Sequence, residues 1–182
     1  MRVIAGKAKG HHLKAPKGSL IRPTSDLVRG AIFDILDSVA SNWSRVLDLY
    51  AGTGALGIEA LSRGAGWADF VEREVRCCNV IKENLERTKL SEYAHVYCCT
   101  VKKALSFLTE FYGIVLLDPP YNDPTAASTL AGVALSPLVG AESVIVMEHS
   151  PRLTLESAYG KFNLLRTRRH GDTCISVYKQ EE

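Results

Sequence analysis

Glycines at positions 52, 54 and 57 stand directly after the short apolar run Val46-Leu47-Asp48-Leu49 and open a helical pattern. Glycine suits a turn whose backbone must take left-handed dihedrals and lie against a ligand. The helix N-terminus that follows offers N–H groups with no intrahelical partner. Glu72 ends the next apolar run, 18 residues after Gly54, where its carboxylate can accept from both hydroxyls of a ribose. Strand, glycine turn, helix and acid together predict a site for a nucleoside-containing cofactor. Its candidate residues are Asp48, Ala51, Gly52, Thr53, Gly54, Gly57 and Glu72. The glycine spacing alone leaves NAD and S-adenosylmethionine both open. Asp48 favours the second, because a carboxylate at the strand end repels a pyrophosphate and attracts an ammonium or sulfonium. Length argues the same way, since 182 residues leave little room for a substrate domain beside a dinucleotide-binding one.

Asp118-Pro119-Pro120-Tyr121 follows the wholly apolar Ile114-Val115-Leu116-Leu117. The strand delivers a carboxylate to the top of the sheet, and two prolines stiffen the turn. Asp118 and the Pro119 carbonyl can each accept one N–H of an exocyclic amine, while Tyr121 stacks on the base. The amine lone pair is then aimed at a methyl group. Taken alone, the motif is also readable as a proline-rich turn with a helix-capping Asp. Beside a cofactor turn, Asp118, Pro119, Pro120 and Tyr121 become the catalytic candidates.

These residues need elements to position them. Thr24 or Ser25 can cap a first helix with Asp26 in its first turn, and Leu27 to Val39 carry one apolar face at helical spacing. Strands are then expected at 45–49, 67–72, 94–99, 114–117 and 143–148, with helices at about 55–63, 75–89, 101–111 and 125–136 between them. Two tail strands, 161–168 and 173–179, meet around Gly171-Asp172 as a hairpin. Alternating strands and helices predict an α/β fold, a Rossmann-like, doubly wound, mostly parallel seven-stranded sheet with a C-terminal antiparallel hairpin. Residues 1–24 form a basic N-terminal extension, plausible as a small hairpin leading to the first helix, and 25–182 the catalytic domain.

Apolar residues make up 46% of the chain and charged residues 23%, an ordinary globular balance. No apolar run approaches the roughly 18 residues of a membrane span, and the first residues carry no apolar signal core, so a cytoplasmic protein is expected. Five cysteines without a C-x-x-C pattern point to buried thiols rather than a metal site or disulfide framework. The net charge of +2 is uneven. Residues 1–25 hold six Lys/Arg and no acid, leaving 16 basic against 20 acidic side chains elsewhere. A basic arm on a mildly acidic body suits a polyanion, most simply nucleic acid. Arg2, Lys7, Lys9, Lys14 and Arg22, with Arg168 and Arg169 near the tail hairpin, are the candidate phosphate contacts; Lys102 and Lys103 suit a solvated helix start as well.

Val46–Gly57 followed by Asp118–Tyr121 resembles the class I S-adenosylmethionine-dependent amino-methyltransferases. The resemblance is closer to the RsmD-type guanine-N2 methyltransferases of 16S rRNA. Arg2-Val3-Ile4-Ala5-Gly6, Arg22-Pro23-Thr24 through Arg29, Ala51 through Gly64 and Gly171-Asp172-Thr173 all match, so the likeness spans nearly the whole chain. It implies a monomer that methylates a guanine N2 of 16S rRNA within an assembling small subunit, with S-adenosylmethionine as cofactor and no metal or membrane. Gly30 stands where the family carries Glu. Thr100 occupies the adenine-contacting position, where the family carries Asn or Asp. DNA adenine-N6 methylation is the nearest rival, because Asp-Pro-Pro-Tyr also fits adenine. It lacks support from any insertion that would read DNA sequence. A nucleotide- or NAD-binding protein without methyl transfer is the more distant one.

Overall fold

The computed structural model describes residues 1–18 and 24–181; Arg22 lies outside the described residues. Five strands alternate with helices in the first 149 residues: α1 (Asp26–Val39), β1 (Val46–Leu49), α2 (Ala55–Ser62), β2 (Ala68–Glu72), α3 (Val75–Arg87), β3 (Ala94–Cys98), α4 (Val101–Phe107), β4 (Ile114–Leu117), α5 (Ala126–Ala134) and β5 (Val144–His149). Three more strands follow: β6 (Ala158–Tyr159), β7 (Phe162–His170) and β8 (Thr173–Gln180). They build one sheet in the order β3-β2-β1-β4-β5-β8-β7-β6. The first five are parallel, as helical crossovers require, and β8 returns antiparallel to β5. Chain order reverses between β1 and β4, so a crevice opens there at the carboxyl ends of the strands.

Alternation along the strands explains the two cores. Val46, Ile114 and Leu116 pack under α1, α2 and α3, while Leu47, Leu49, Val115 and Leu117 pack under α4 and α5. Strands buried on both faces need apolar side chains at every position, and β4 has them. Asp48 is the exception in β1, so its presence there demands a reason beyond packing.

The sheet has eight strands where seven are expected. The extra one is the two-residue β6, paired to the start of β7 across Gly160 at φ 59°. Two residues carry no readable periodicity. Helix α4 stops at Phe107, four residues short of the expected end. Beyond it, Tyr112 is fully buried, donating its hydroxyl to Asp69 (2.7 Å) and its N–H to the Leu138 carbonyl (2.8 Å).

The N-terminal segment is a hairpin with one bridge, Arg2 to His12. Its spine belongs to the main core: Val3, Ala8 and Leu13 are buried. Glu59 on α2, completely buried, accepts the N–H groups of Ile4 (2.9 Å) and Ala5 (3.0 Å). Gly6 takes φ 79°, and a Cβ there would meet the Ser62 carbonyl oxygen at 1.9 Å. Only glycine lets the hairpin lie this close to α2.

Candidate active site

The turn after β1 is built from left-handed residues. Gly52 and Gly54 take φ 57° and 79°, and Tyr50, which has a side chain, takes φ 61°. A non-glycine residue there costs backbone energy and marks a site held by its surroundings. Tyr50 is anchored by its hydroxyl, which donates to Thr129 on α5 (3.1 Å). Gly57 is required for contact rather than dihedral: a Cβ would come within 2.3 Å of the Phe70 ring and 3.1 Å of the Asp48 carboxylate.

Four carboxylates end four neighbouring strands. Asp48 is buried, and its Oδ2 accepts the Gly57 N–H at 2.9 Å. Burial pushes its pKa up to about 7, the Gly57 bond opposes this, and nearby Glu72 adds to it. Glu72 accepts the N–H groups of Gly52 and Glu74, each at 2.8 Å, and so ties the end of β2 to the glycine turn. Asp118 ends β4 and is partly exposed. Its carboxyl is held well above the usual range by desolvation and by the Glu148 carboxylate, against the pull of a Thr24 hydrogen bond.

Thr24 joins the last two acids. Its hydroxyl lies 2.9 Å from Asp118 Oδ2 and 3.0 Å from Glu148 Oε2. One hydroxyl proton cannot serve both acceptors fully, so the two carboxyls sit one hydroxyl apart and compete for it. Glu148 Oε1 also accepts from the Thr173 hydroxyl at 3.1 Å. Ser25, not Thr24, caps α1, accepting the Val28 N–H at 3.2 Å.

The structure thus brings Asp48, Gly52, Gly57, Glu72 and Asp118 to one end of the sheet. Met1 Sδ lies 3.9 Å from the Thr53 hydroxyl, so the chain start borders the glycine turn. Thr100 caps α4 through a bond from the Lys103 N–H (3.2 Å). Tyr121 is 41% exposed and lines a cleft of about 740 Å³ with Arg152 and Arg169. Sequence reasoning gave no site role to Glu148, Thr24, Thr173 or Tyr50. Glu148 was findable, since it ends an apolar strand as Asp118 does. The hydroxyls were not, because their partners are 94 and 25 residues away.

The basic candidates divide. Lys14 pairs with Glu83 on α3 at 2.7 Å, and Lys7 lies over the Tyr93 ring at 4.6 Å. Arg168 lines a groove against α1, with Asp26, Gly30, Arg166 and His170, whereas Arg169 lines the Tyr121 cleft. Arg2 and Lys9 are exposed on the hairpin. Among the described residues no group of three or more His, Cys, Asp or Glu is arranged to hold a metal ion.

No cation lies within 4 Å of Asp48, Glu72 or Asp118 among the described residues. Uncompensated carboxylates facing one crevice suit a cationic ligand with hydroxyl donors and repel a pyrophosphate. The donor set therefore fits S-adenosylmethionine.

Comparison with known proteins agrees with this geometry. YlbH of Bacillus subtilis is 36% identical over 99% of both chains. Ribosomal RNA small subunit methyltransferase D of Escherichia coli K12 is 29% identical, over all of this chain and 90% of its own. The solved structure of yhhF from Escherichia coli superposes with a TM-score of 0.84 at 30% identity, covering 100% of this chain and 98% of that one. The model of the family described as conserved hypothetical protein 95 matches residues 1–179, and the chain belongs to that family, the one to which the RsmD-type resemblance pointed.

Proposed function

We propose that this chain methylates the N2 amine of a guanine in small-subunit rRNA, using S-adenosylmethionine, as a cytoplasmic monomer acting on an assembling particle. The observation that carries this reading is the set Asp48, Glu72 and Asp118, with no cation within 4 Å among the described residues, beside the proline-stiffened turn that follows Asp118. Small-subunit rRNA as substrate is supported by the relative named ribosomal RNA small subunit methyltransferase D. Residues 1–24 act as the basic arm and 25–182 as the catalytic domain.

Asp48, Ala51, Gly52, Thr53, Gly54, Gly57, Glu72 and Thr100 hold the cofactor, which supplies an electrophilic methyl group when bound. Glu72 accepts from the ribose hydroxyls with the lone pairs left over from Gly52 and Glu74. Asp48 supplies negative charge from beneath the turn. Asp118 and the Pro119 carbonyl accept the two N–H groups of the target amine, Pro120 keeps the turn rigid, and Tyr121 packs on the base. Most of the rate comes from this positioning, which lines the amine up with the methyl group. Methylation makes the nitrogen acidic, and Asp118 takes the proton. Arg2, Lys7, Lys9, Lys14, Arg22, Arg168 and Arg169 meet RNA phosphates, and the target base leaves its stack to reach Asp118.

The test is methyl transfer from labelled S-adenosylmethionine to naked 16S rRNA, small-subunit particles and DNA, followed by nucleoside analysis. N2-methylguanosine from an RNA substrate is expected. N6-methyladenine from DNA, or no transfer to any substrate, refutes the proposal.

A further inference from the structure

The cleft lined by Tyr121, three residues after Asp118, carries groups to which the methyl-transfer reading gives no role, Arg152 and Asn122 among them. It is about 740 Å³ and is lined by Tyr121, Asn122, Arg152, Arg169 and Asp172, with Ser150 to Leu153 forming one wall. That wall is preorganised. Ser150-Pro151-Arg152-Leu153 is a turn closed by the Leu153 N–H on the Ser150 carbonyl (3.0 Å). Serine first and proline second are the residues such a turn favours. The Ser150 hydroxyl accepts the Arg152 N–H (3.2 Å). Its carbonyl is held by His149 Nδ1 (2.9 Å), and His149 Nε2 is in turn bonded to Ser176 on β8 (2.8 Å). Arg152 therefore rides on a turn fastened to two sheet strands.

The part of the lining that comes from the β7–β8 hairpin is also held by a hydrogen bond. Arg169 Nε donates to the Gly171 carbonyl (3.0 Å), and Gly171 takes φ 60° at the tip of the β7–β8 hairpin. Among the described residues neither Arg152 nor Arg169 has a carboxylate within 4 Å. Two guanidiniums with no carboxylate within 4 Å among the described residues and an amide side chain around one cleft suit a phosphodiester and a base edge. They do not suit an apolar ligand.

We infer that this cleft holds the ribonucleotide adjoining the target, with Arg152 and Arg169 on its phosphodiester. The inference rests on the methyl-transfer reading, because it takes the Asp118 turn as the seat of the flipped base. Asp172 repels phosphate and accepts base N–H groups, so it orients the nucleotide with its phosphate toward Arg152. Flipping one base costs stacking energy, and a preformed seat for its neighbour offsets that cost.

The experiment compares the wild-type protein with Arg152→Ala, Arg152→Lys and Arg152→Ala/Arg169→Ala. Affinity for naked 16S rRNA and for small-subunit particles is measured across a salt series, and S-adenosylmethionine affinity by calorimetry. Arg152→Ala is expected to weaken RNA binding about tenfold and the double variant about a hundredfold. The slope of log affinity against log salt becomes shallower by about 0.7 per lost single-strand contact. Arg152→Lys keeps the slope and recovers part of the affinity, because the charge survives without the bidentate fork. Cofactor affinity stays within twofold throughout. RNA affinity of Arg152→Ala within twofold of wild type overturns the inference. A loss on particles but not on naked RNA also overturns it, because it assigns the cleft to a protein partner. Wild-type protein that binds rRNA with these slopes but transfers no methyl group refutes the function and leaves the cleft assignment standing as an RNA contact.

Discussion

Replacing Asp48 by Asn separates what this buried acid costs the fold from what it contributes to the ligand. The unfolded chain releases the Asp48 proton near the ordinary value of 3.8, whereas the folded chain keeps it to about pH 7. Between those values the folded state binds more protons than the unfolded one. Stability therefore falls as pH rises from about 4 to 7 and levels off above 7. Three pH units correspond to about 4 kcal/mol. Asparagine never ionises, and its carbonyl still accepts the Gly57 N–H, so the variant avoids this loss. At pH 8 it should melt roughly 10 °C above the wild type, at 2–4 °C per kcal/mol for a chain of this size, and the gap should close near pH 4. Cofactor binding moves the other way. A charge pair in a site of effective dielectric near 20 contributes up to about 4 kcal/mol. Half of that predicts roughly thirtyfold weaker binding of S-adenosylmethionine by Asp48→Asn at pH 8, shrinking toward pH 6. Differential scanning calorimetry and titration calorimetry across pH 4–8 read both arms. Parallel melting curves for the two proteins would refute the argument that Asp48 is held protonated by burial.

Asp118→Ala should reduce methyl transfer to background while S-adenosylmethionine affinity stays within a few-fold; a matching loss of affinity by calorimetry reassigns Asp118 to the cofactor. Glu72→Ala should weaken cofactor binding by about 1.5–3 kcal/mol. It should also loosen the glycine turn, visible as faster amide exchange at Gly52; unchanged affinity removes Glu72 from the ribose. Gly57→Ala forces a methyl group into the Phe70 ring and should cost about 1–3 kcal/mol in urea unfolding; an undisturbed midpoint means that α2 shifts freely from β2. Deleting residues 1–17 removes Val3, Ala8 and Leu13 from the core and two N–H donors from buried Glu59. The melting temperature should therefore fall before any RNA effect is read, and an unchanged melt makes the hairpin a detachable arm.

The glycine turn, the alternation of strands and helices in the parallel half and the carboxylates of β1, β2 and β4 are legible because each is a local signal. Apolar runs of four or five residues ending in an acid are visible without a partner. Glu148 carries the same signal, yet no motif follows it to draw notice. The choice between Thr24 and Ser25 as cap is not local: both hydroxyls suit the role, and only the position of β4 decides which one turns toward Asp118. The N-terminal hairpin is legible from Gly6 and Gly10, but whether it packs into the core is not a local matter either. Its charges read as a solvated arm, while the residues that matter to the core, Val3, Ala8 and Leu13, are scattered singly among them. Strand β6 exists only because β7 is there to pair with it.

Glu148 is reached by a hydroxyl from each extremity of the chain, Thr24 before α1 and Thr173 on the last strand. The strand that bears Thr173 is also the one that closes the sheet against β5. A polypeptide synthesised only as far as β5 has Thr24 but lacks Thr173, one of the two hydroxyls that hold the second carboxylate. The hydrogen bonds around Glu148 therefore close only once β8 has paired with β5.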